Sequence, residues 1–320
     1  MRRAAAWLLV GAITLIAAEG AWRLVRHTGL VPGASPVRLV HDPQLGWRLP
    51  RNVRVRHRTR HFDVTVALDG AGRRVPLGEG GRGGRPVAVF VGDSVTFGWG
   101  VEAEQAFPER WGALAGFDVR NLGVPGYGTD QAYLALLADG LPLGPQLVVY
   151  TYCHNDLEET TREVAYGRAK PSLRWEAPRL LVSPASERSR WLDRHSALYR
   201  TLRGRLPAGA ASAADIESGQ RLVLEIVAAM ASAARRAGAR FVLLRPSLPW
   251  LELSAEERAA GSLEVDYQAA LKAAPAGEPR IFPDGHPTPW AHQRIAAALA
   301  EVWRGAAPPA GEKPVAILPR

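Results

Sequence analysis

Pro86-Val-Ala-Val-Phe-Val-Gly-Asp-Ser-Val-Thr-Phe-Gly-Trp-Gly100 decides how the rest of the chain is read. Its first half is a short, unbroken apolar run, the pattern of a strand buried on both faces of a parallel sheet. Its second half is a polar, glycine-rich turn. Similar apolar runs occupy residues 117–122, 146–152 and 240–245. Between them lie stretches with helical spacing near 102–115, 129–138 and 216–237, and 289–303 closes the series. Strands alternating with helices predict an α/β fold: three α/β/α layers around a parallel sheet of about five strands.

Composition permits such a core. The chain has 320 residues, 47% hydrophobic and 22% charged, with ten tryptophans, which excludes a disordered polymer. A single cysteine, Cys153, excludes an intramolecular disulfide framework and any multi-cysteine metal site. The net charge of +9 is carried almost wholly by arginine, since Lys170, Lys272 and Lys313 are the only lysines. The densest basic run, 51–61, alternates arginine with other residues and reads as a solvated strand face; no nucleic-acid motif accompanies it, so no nucleic-acid partner is expected.

Outward from the α/β region, the chain divides further. Residues 1–26 hold a membrane anchor or signal segment: Arg2 and Arg3 precede fifteen uncharged residues, and a helix over 4–22 would be about 28 Å long, one hydrocarbon core. An uncleaved anchor is the first reading, a cleaved signal peptide the second and a buried helix the third. Residues 27–85 read as a β-rich lead-in ending in a glycine-rich linker at 78–85. The α/β domain covers 86–305, and a proline-rich flexible tail follows at 306–320. The alternation lapses over 157–215, read as an insertion across the C-terminal edge of the sheet, where ligands of α/β folds bind.

The chemistry-bearing residues lie at strand ends. The first strand ends in Gly92-Asp93-Ser94, a turn suited to presenting a nucleophile. The second ends in Asn121-Leu-Gly123-Val-Pro-Gly126, the third in Cys153-His154-Asn155-Asp156, and Asp284-Gly285-His286 precedes the last helix. A serine hydroxyl attacks only when an imidazole takes its proton, and the oxyanion then needs preorganised donors.

In these four blocks the chain resembles the SGNH (GDSL-like) hydrolases, over roughly residues 86–303. The resemblance implies the flavodoxin-like SGNH fold and an acyl-enzyme mechanism without cofactor. It implies Ser94 as nucleophile, His286 as base and Asp284 as its orienting acid. It also implies an oxyanion hole from the Ser94 N–H, the Gly126 N–H (Gly123 second) and the Asn155 amide. Two positions depart from the pattern: Cys153 stands where the third block has glycine, and Asp284 is two residues before His286 instead of three. A serine–histidine pair helped by a backbone carbonyl is the alternative that this spacing leaves open.

His154 and Asp156 are candidate substrate contacts, a structural role being the competing reading for His154. His292 is the rival base, with helix packing its simpler reading. Cys153 reads as a packing residue, and His27, His41, His57, His61 and His195 as surface residues. Carboxylate and histidine spacing suits no metal, and no glycine turn is followed by the lysine of a phosphate loop. The expected function is a serine esterase removing O-acyl, including O-acetyl, groups from a glycan, small molecule or similar substrate. It would be single-pass in the inner or cell membrane with its catalytic domain outside the cytoplasm, or secreted or periplasmic if the segment is cleaved. An O-acyltransferase using the same serine and a catalytically idle glycan-binding protein are the alternatives. Oligomeric state has no signature in the sequence.

Overall fold

The computed structural model describes residues 2–27, 36–78, 83–185, 191–192, 195–203, 212–272, 275 and 277–306. Much of the glycine-rich linker and all but the first residue of the proline-rich tail lie outside them. Helix α1 (Arg2–His27) comes first, followed by two hairpins: β1 (Val40–Asp42) with β2 (Gly46–Arg48), and β3 (Val53–Arg58) with β4 (Asp63–Leu68). The α/β region then runs β5 (Val87–Gly92), α2 (Ser94–Phe97), α3 (Phe107–Ala115), β6 (Asp118–Asn121), α4 (Thr129–Ala135), β7 (Leu147–Thr151) and α5 (Asp156–Thr161).

The expected insertion is not structureless. It carries two more antiparallel hairpins, β8 (Val164–Ala165) with β9 (Arg168–Ala169) and β10 (Ser172–Glu176) with β11 (Arg179–Ser183), then α6 (Ala197–Arg203). Their strands are two to five residues long and mostly exposed or half-buried, so they escape a search for buried runs. Helix α7 (Ala213–Arg236), β12 (Arg240–Arg245), α8 (Ala255–Ala259), β13 (Leu263–Asp266), α9 (Tyr267–Lys272) and α10 (Pro289–Gly305) complete the chain.

The central sheet has five parallel strands in the order β13-β12-β7-β5-β6. Side chains alternate between its faces, as strand geometry requires. Val89, Val91, Val148 and Leu243 pack with α7 residues such as Val223 and Met230. Ala88, Phe90, Val149 and Val242 pack with Trp111 of α3 and Leu299 of α10. The chain leaves β5 for the edge strand β6, then returns to β7 on the other side of β5. That reversal opens a crevice at the C-terminal ends of β5 and β7, the usual ligand position in such sheets.

The lead-in packs directly on the site loops. Trp47, Leu49, Val66 and Leu68 share a buried cluster with Phe97, Val124 and Tyr127. Arg74 pairs antiparallel with both Leu68 and Asn121, joining the β3–β4 hairpin to the β6 edge. One expectation is corrected here: His57 is a buried residue, not a surface one. Along β3, Arg54, Arg56 and Arg58 face solvent while His57 points inward.

Candidate active site

Ser94 opens α2 directly after β5, and Asp93 caps that turn by accepting the Val95 N–H at 2.8 Å. The turn is pressed against the β6 loop. A Cβ at Gly123 would come within 2.4 Å of the Phe97 backbone nitrogen, so no side chain fits there. Asn121 ties the same junction, donating to the Thr96 carbonyl at 2.8 Å and accepting the Gly123 N–H at 2.9 Å. The Gly123 N–H is therefore already engaged.

His286 Nε2 lies 2.9 Å from Ser94 Oγ. A second acceptor for the hydroxyl, Asp93 Oδ2, is farther away at 3.3 Å. With Nε2 accepting from Ser94, the ring proton sits on Nδ1, facing Asp284 Oδ1 at 3.4 Å. This separation is an ion-pair distance, but the alignment makes no hydrogen bond and Nδ1 is left without a partner. The same Oδ1 accepts the backbone N–H of His286 at 3.3 Å, and Trp99 Nε1 donates to Oδ2 at 3.2 Å. Gly285, at φ +91°, provides the left-handed turn that lets side chains on either side of it converge. His292, by contrast, is fully buried and accepts the Phe107 N–H at 3.2 Å. Burial and nearby cationic side chains hold its imidazole down at about 3.

Ser94 and His286 open into a cavity of about 490 Å³ together with Gly126, Trp99 and Tyr166. Val37, Leu39 and Leu49 of the lead-in, with Phe97 and Pro125, form its apolar lining. Of the oxyanion-hole residues expected from the sequence, Ser94 and Gly126 line this space. Asn155 does not line it; its side chain lies against Glu159 and Tyr166. His154 is exposed. Asp156 is buried, with Oδ2 accepting from Tyr150 Oη at 2.8 Å and the Cys153 N–H at 3.2 Å. Burial, with Asp93 and Glu159 nearby, pushes its carboxyl well above the ordinary range.

Residues outside the expected catalytic set complete the site. Cys153 fits in place of the usual glycine because its thiol, pushed up by burial and by Asp93, stays protonated and donates to Asp93 Oδ1 at 3.1 Å. Tyr166 hydrogen-bonds the buried Glu159, whose carboxyl burial pushes up to about 7. His57 packs edge-on against Trp99 at 4.6 Å and is held near 4 by burial and Arg74. Strand period was the signal for His57, which shares its face of β3 with Val53 and Val55. Arg74 donates to the carbonyls of Phe97, Gly98 and Val101 and lies 4.6 Å over the Phe97 ring. Among the described residues, no group of three or more histidine, cysteine or carboxylate side chains is placed to hold a metal.

A family model described as the GDSL-like Lipase/Acylhydrolase family matches residues 90–294. Solved structures with a similar fold include a G-D-S-L family protein from Desulfitobacterium hafniense, 15% identical, covering 68% of this chain and 98% of that one, TM-score 0.43. A GDSL-like lipase from Bacteroides thetaiotaomicron is 19% identical over 68% and 88%, TM-score 0.39. An acetylxylan esterase from Geobacillus stearothermophilus is 14% identical over 68% and 93%, TM-score 0.38. Likenesses of this degree say nothing of substrate. No curated protein sequence matches the chain.

Proposed function

The chain belongs to the GDSL-like lipase/acylhydrolase family and is a carboxylic ester hydrolase of that type, and on that premise we propose that Ser94 is the nucleophile of a membrane-anchored esterase. Its substrate is an O-acyl ester, acetyl esters included, of a glycan or similar molecule outside the cytoplasm. The observation that carries the reading is the 2.9 Å contact between His286 Nε2 and Ser94 Oγ at the floor of an open cavity.

In this mechanism Ser94 Oγ attacks the ester carbonyl carbon while its proton passes to His286 Nε2. The carbonyl π electrons move onto oxygen, which the Ser94 N–H and the Gly126 N–H receive; the Asn155 amide joins them only on turning from Glu159 and Tyr166 into the cavity. Collapse expels the alcohol, which takes the proton back from the imidazolium. Water, activated by the same histidine, releases the acid and regenerates Ser94. Asp284 supports the imidazolium by charge rather than by an aligned hydrogen bond. Trp99 and Tyr166 offer aromatic faces suited to a sugar ring, and Val37, Leu39 and Leu49 offer apolar surface to the acyl group.

The localisation rests on Ala6–Val25, a twenty-residue helical span of mean hydropathy 1.6 whose charged residues are Glu19 and Arg23, long enough to cross a bilayer. The test is p-nitrophenyl acetate hydrolysis by the detergent-solubilised full chain beside Ser94→Ala and His286→Ala. Loss of about 10,000-fold or more in both variants supports the assignment. Full activity in either refutes the role of that residue.

A further inference from the structure

The end of α1 nearest the body is bound by the insertion. Glu19 accepts from Ser196 Oγ at 2.8 Å, from the Ala197 N–H at 2.7 Å and from the Leu198 N–H at 3.0 Å. Trp22 Nε1 donates to Thr201 Oγ1 at 3.0 Å, and Arg23 donates to the His195 carbonyl at 2.6 Å and to Glu19. Five contacts thus join a helix near the start of the chain to residues more than 170 positions away. Against this docked side, Trp191 and Leu202 present large apolar surfaces to solvent, 62% and 56% exposed.

Glu19 lies six residues before Val25, the last residue of the apolar span, or about 9 Å along the helix. A lone carboxylate at that depth is costly, so intramembrane acids occur with partners. Here the donors come from the arm formed by 195–203, and the arm must therefore sit where the carboxylate sits. A depth of about 5–10 Å is that of interfacial segments with tryptophan and leucine turned toward the acyl chains. Arg23, on the same turn as Trp22, is placed at headgroup level.

Resting on the reading of α1 as a retained anchor, we propose that the part of the insertion that carries Trp191 and residues 195–203 is a membrane-interface element. It would lie in the headgroup boundary of the bilayer that α1 crosses, with Trp191 and Leu202 contacting lipid. The arm belongs to the insertion whose Tyr166 lines the cavity, so the substrate-binding side of the enzyme is coupled to the membrane plane.

The test uses the full chain reconstituted in phosphatidylcholine–phosphatidylglycerol vesicles. Cys153 is buried and the only cysteine, so Trp191→Cys, Leu202→Cys and, as a control on α3, Leu114→Cys can each be labelled with one environment-sensitive dye. Spin-labelled lipids should quench positions 191 and 202 severalfold more than 114. In the Glu19→Ala background, quenching at 202 should fall while the protein stays with the vesicles. Equal quenching at 191, 202 and 114 in a vesicle-bound protein overturns the inference and leaves the anchor standing. Release of the protein from vesicles at alkaline pH refutes the anchor itself, and the inference with it.

Discussion

Trp99 Nε1 donates to Asp284 Oδ2 at 3.2 Å while the same indole lies 5.5 Å from the His286 ring, inclined by 31°. One side chain thereby holds both the acid and the base of the proposed site. The bond occupies Oδ2 and leaves Oδ1 on the imidazole side, compensating in part for the short Asp-Gly-His spacing. His57, buried edge-on behind the indole, fixes the position of Trp99 in turn.

Trp99→Phe keeps the ring and removes the donor. A hydrogen bond worth about 1.4 kcal/mol corresponds to a tenfold rate effect, so kcat should fall about tenfold with KM for a small ester little changed. A rise in KM alone would instead make Trp99 a substrate wall.

Asp284→Asn should cost far less than in a site with an aligned triad acid, where the loss is about 10,000-fold. Asp284 makes no hydrogen bond to Nδ1, so kcat should drop by about 10- to 100-fold. A loss as large as that of His286→Ala would mean that the carboxylate closes onto the ring during turnover.

The fold was legible because each core strand carries its identity locally. Val87–Gly92 and Leu147–Thr151 are continuous buried runs, and the catalytic turns follow within a few residues. The fifth strand was not legible: Leu263–Asp266 is a four-residue edge strand whose Glu264 pairs with Arg245, so it lacks an apolar run. The lead-in's share in the cavity was also hidden. Val37, Leu39 and Leu49 reach the site through packing across some fifty residues of sequence, and nothing within residues 36–50 announces what they face.

The apolar wall predicts a preference along a p-nitrophenyl ester series. An apolar cavity of about 150 Å³ accommodates a benzene ring, and the cavity here is about 490 Å³. Each methylene fully buried adds about 0.8 kcal/mol, about fourfold in kcat/KM, so octanoate should exceed acetate. Leu39→Ser should reduce the octanoate rate and leave acetate nearly unchanged. A flat series in the wild type would remove the acyl group from this wall.

Glu159 makes a prediction about stability. Its folded-state pKa, about 7, lies above its ordinary value of 4.5, so the folded protein retains a proton that the unfolded chain releases between them. The penalty for ionising it is absent below about pH 4.5, grows as pH rises, and is complete above about 7, where it reaches about 3 kcal/mol. Glu159→Gln should therefore match the wild type in urea unfolding near pH 4.5 and exceed it at pH 8. A difference between the two proteins that does not change with pH would contradict the raised value.

Arg74 is the main tie between the lead-in and the catalytic turn. It is 2% exposed, burial lowers it to about 10, and it still carries its charge at neutral pH. Its two terminal guanidinium nitrogens donate to three carbonyls that follow the Ser94 turn, at Phe97, Gly98 and Val101, while its buried Nε has no hydrogen-bond partner. Arg74→Met fills similar space but strands those carbonyls, at about 1–3 kcal/mol for each that water does not reach. Stability should fall by at least about 3 kcal/mol, and kcat should fall as well because Trp99 follows directly on Gly98. Arg74→Lys keeps the charge but cannot fork across three acceptors, and should lie between. A folded Arg74→Met protein with unchanged kcat would mean that the turn holds its shape without the lead-in.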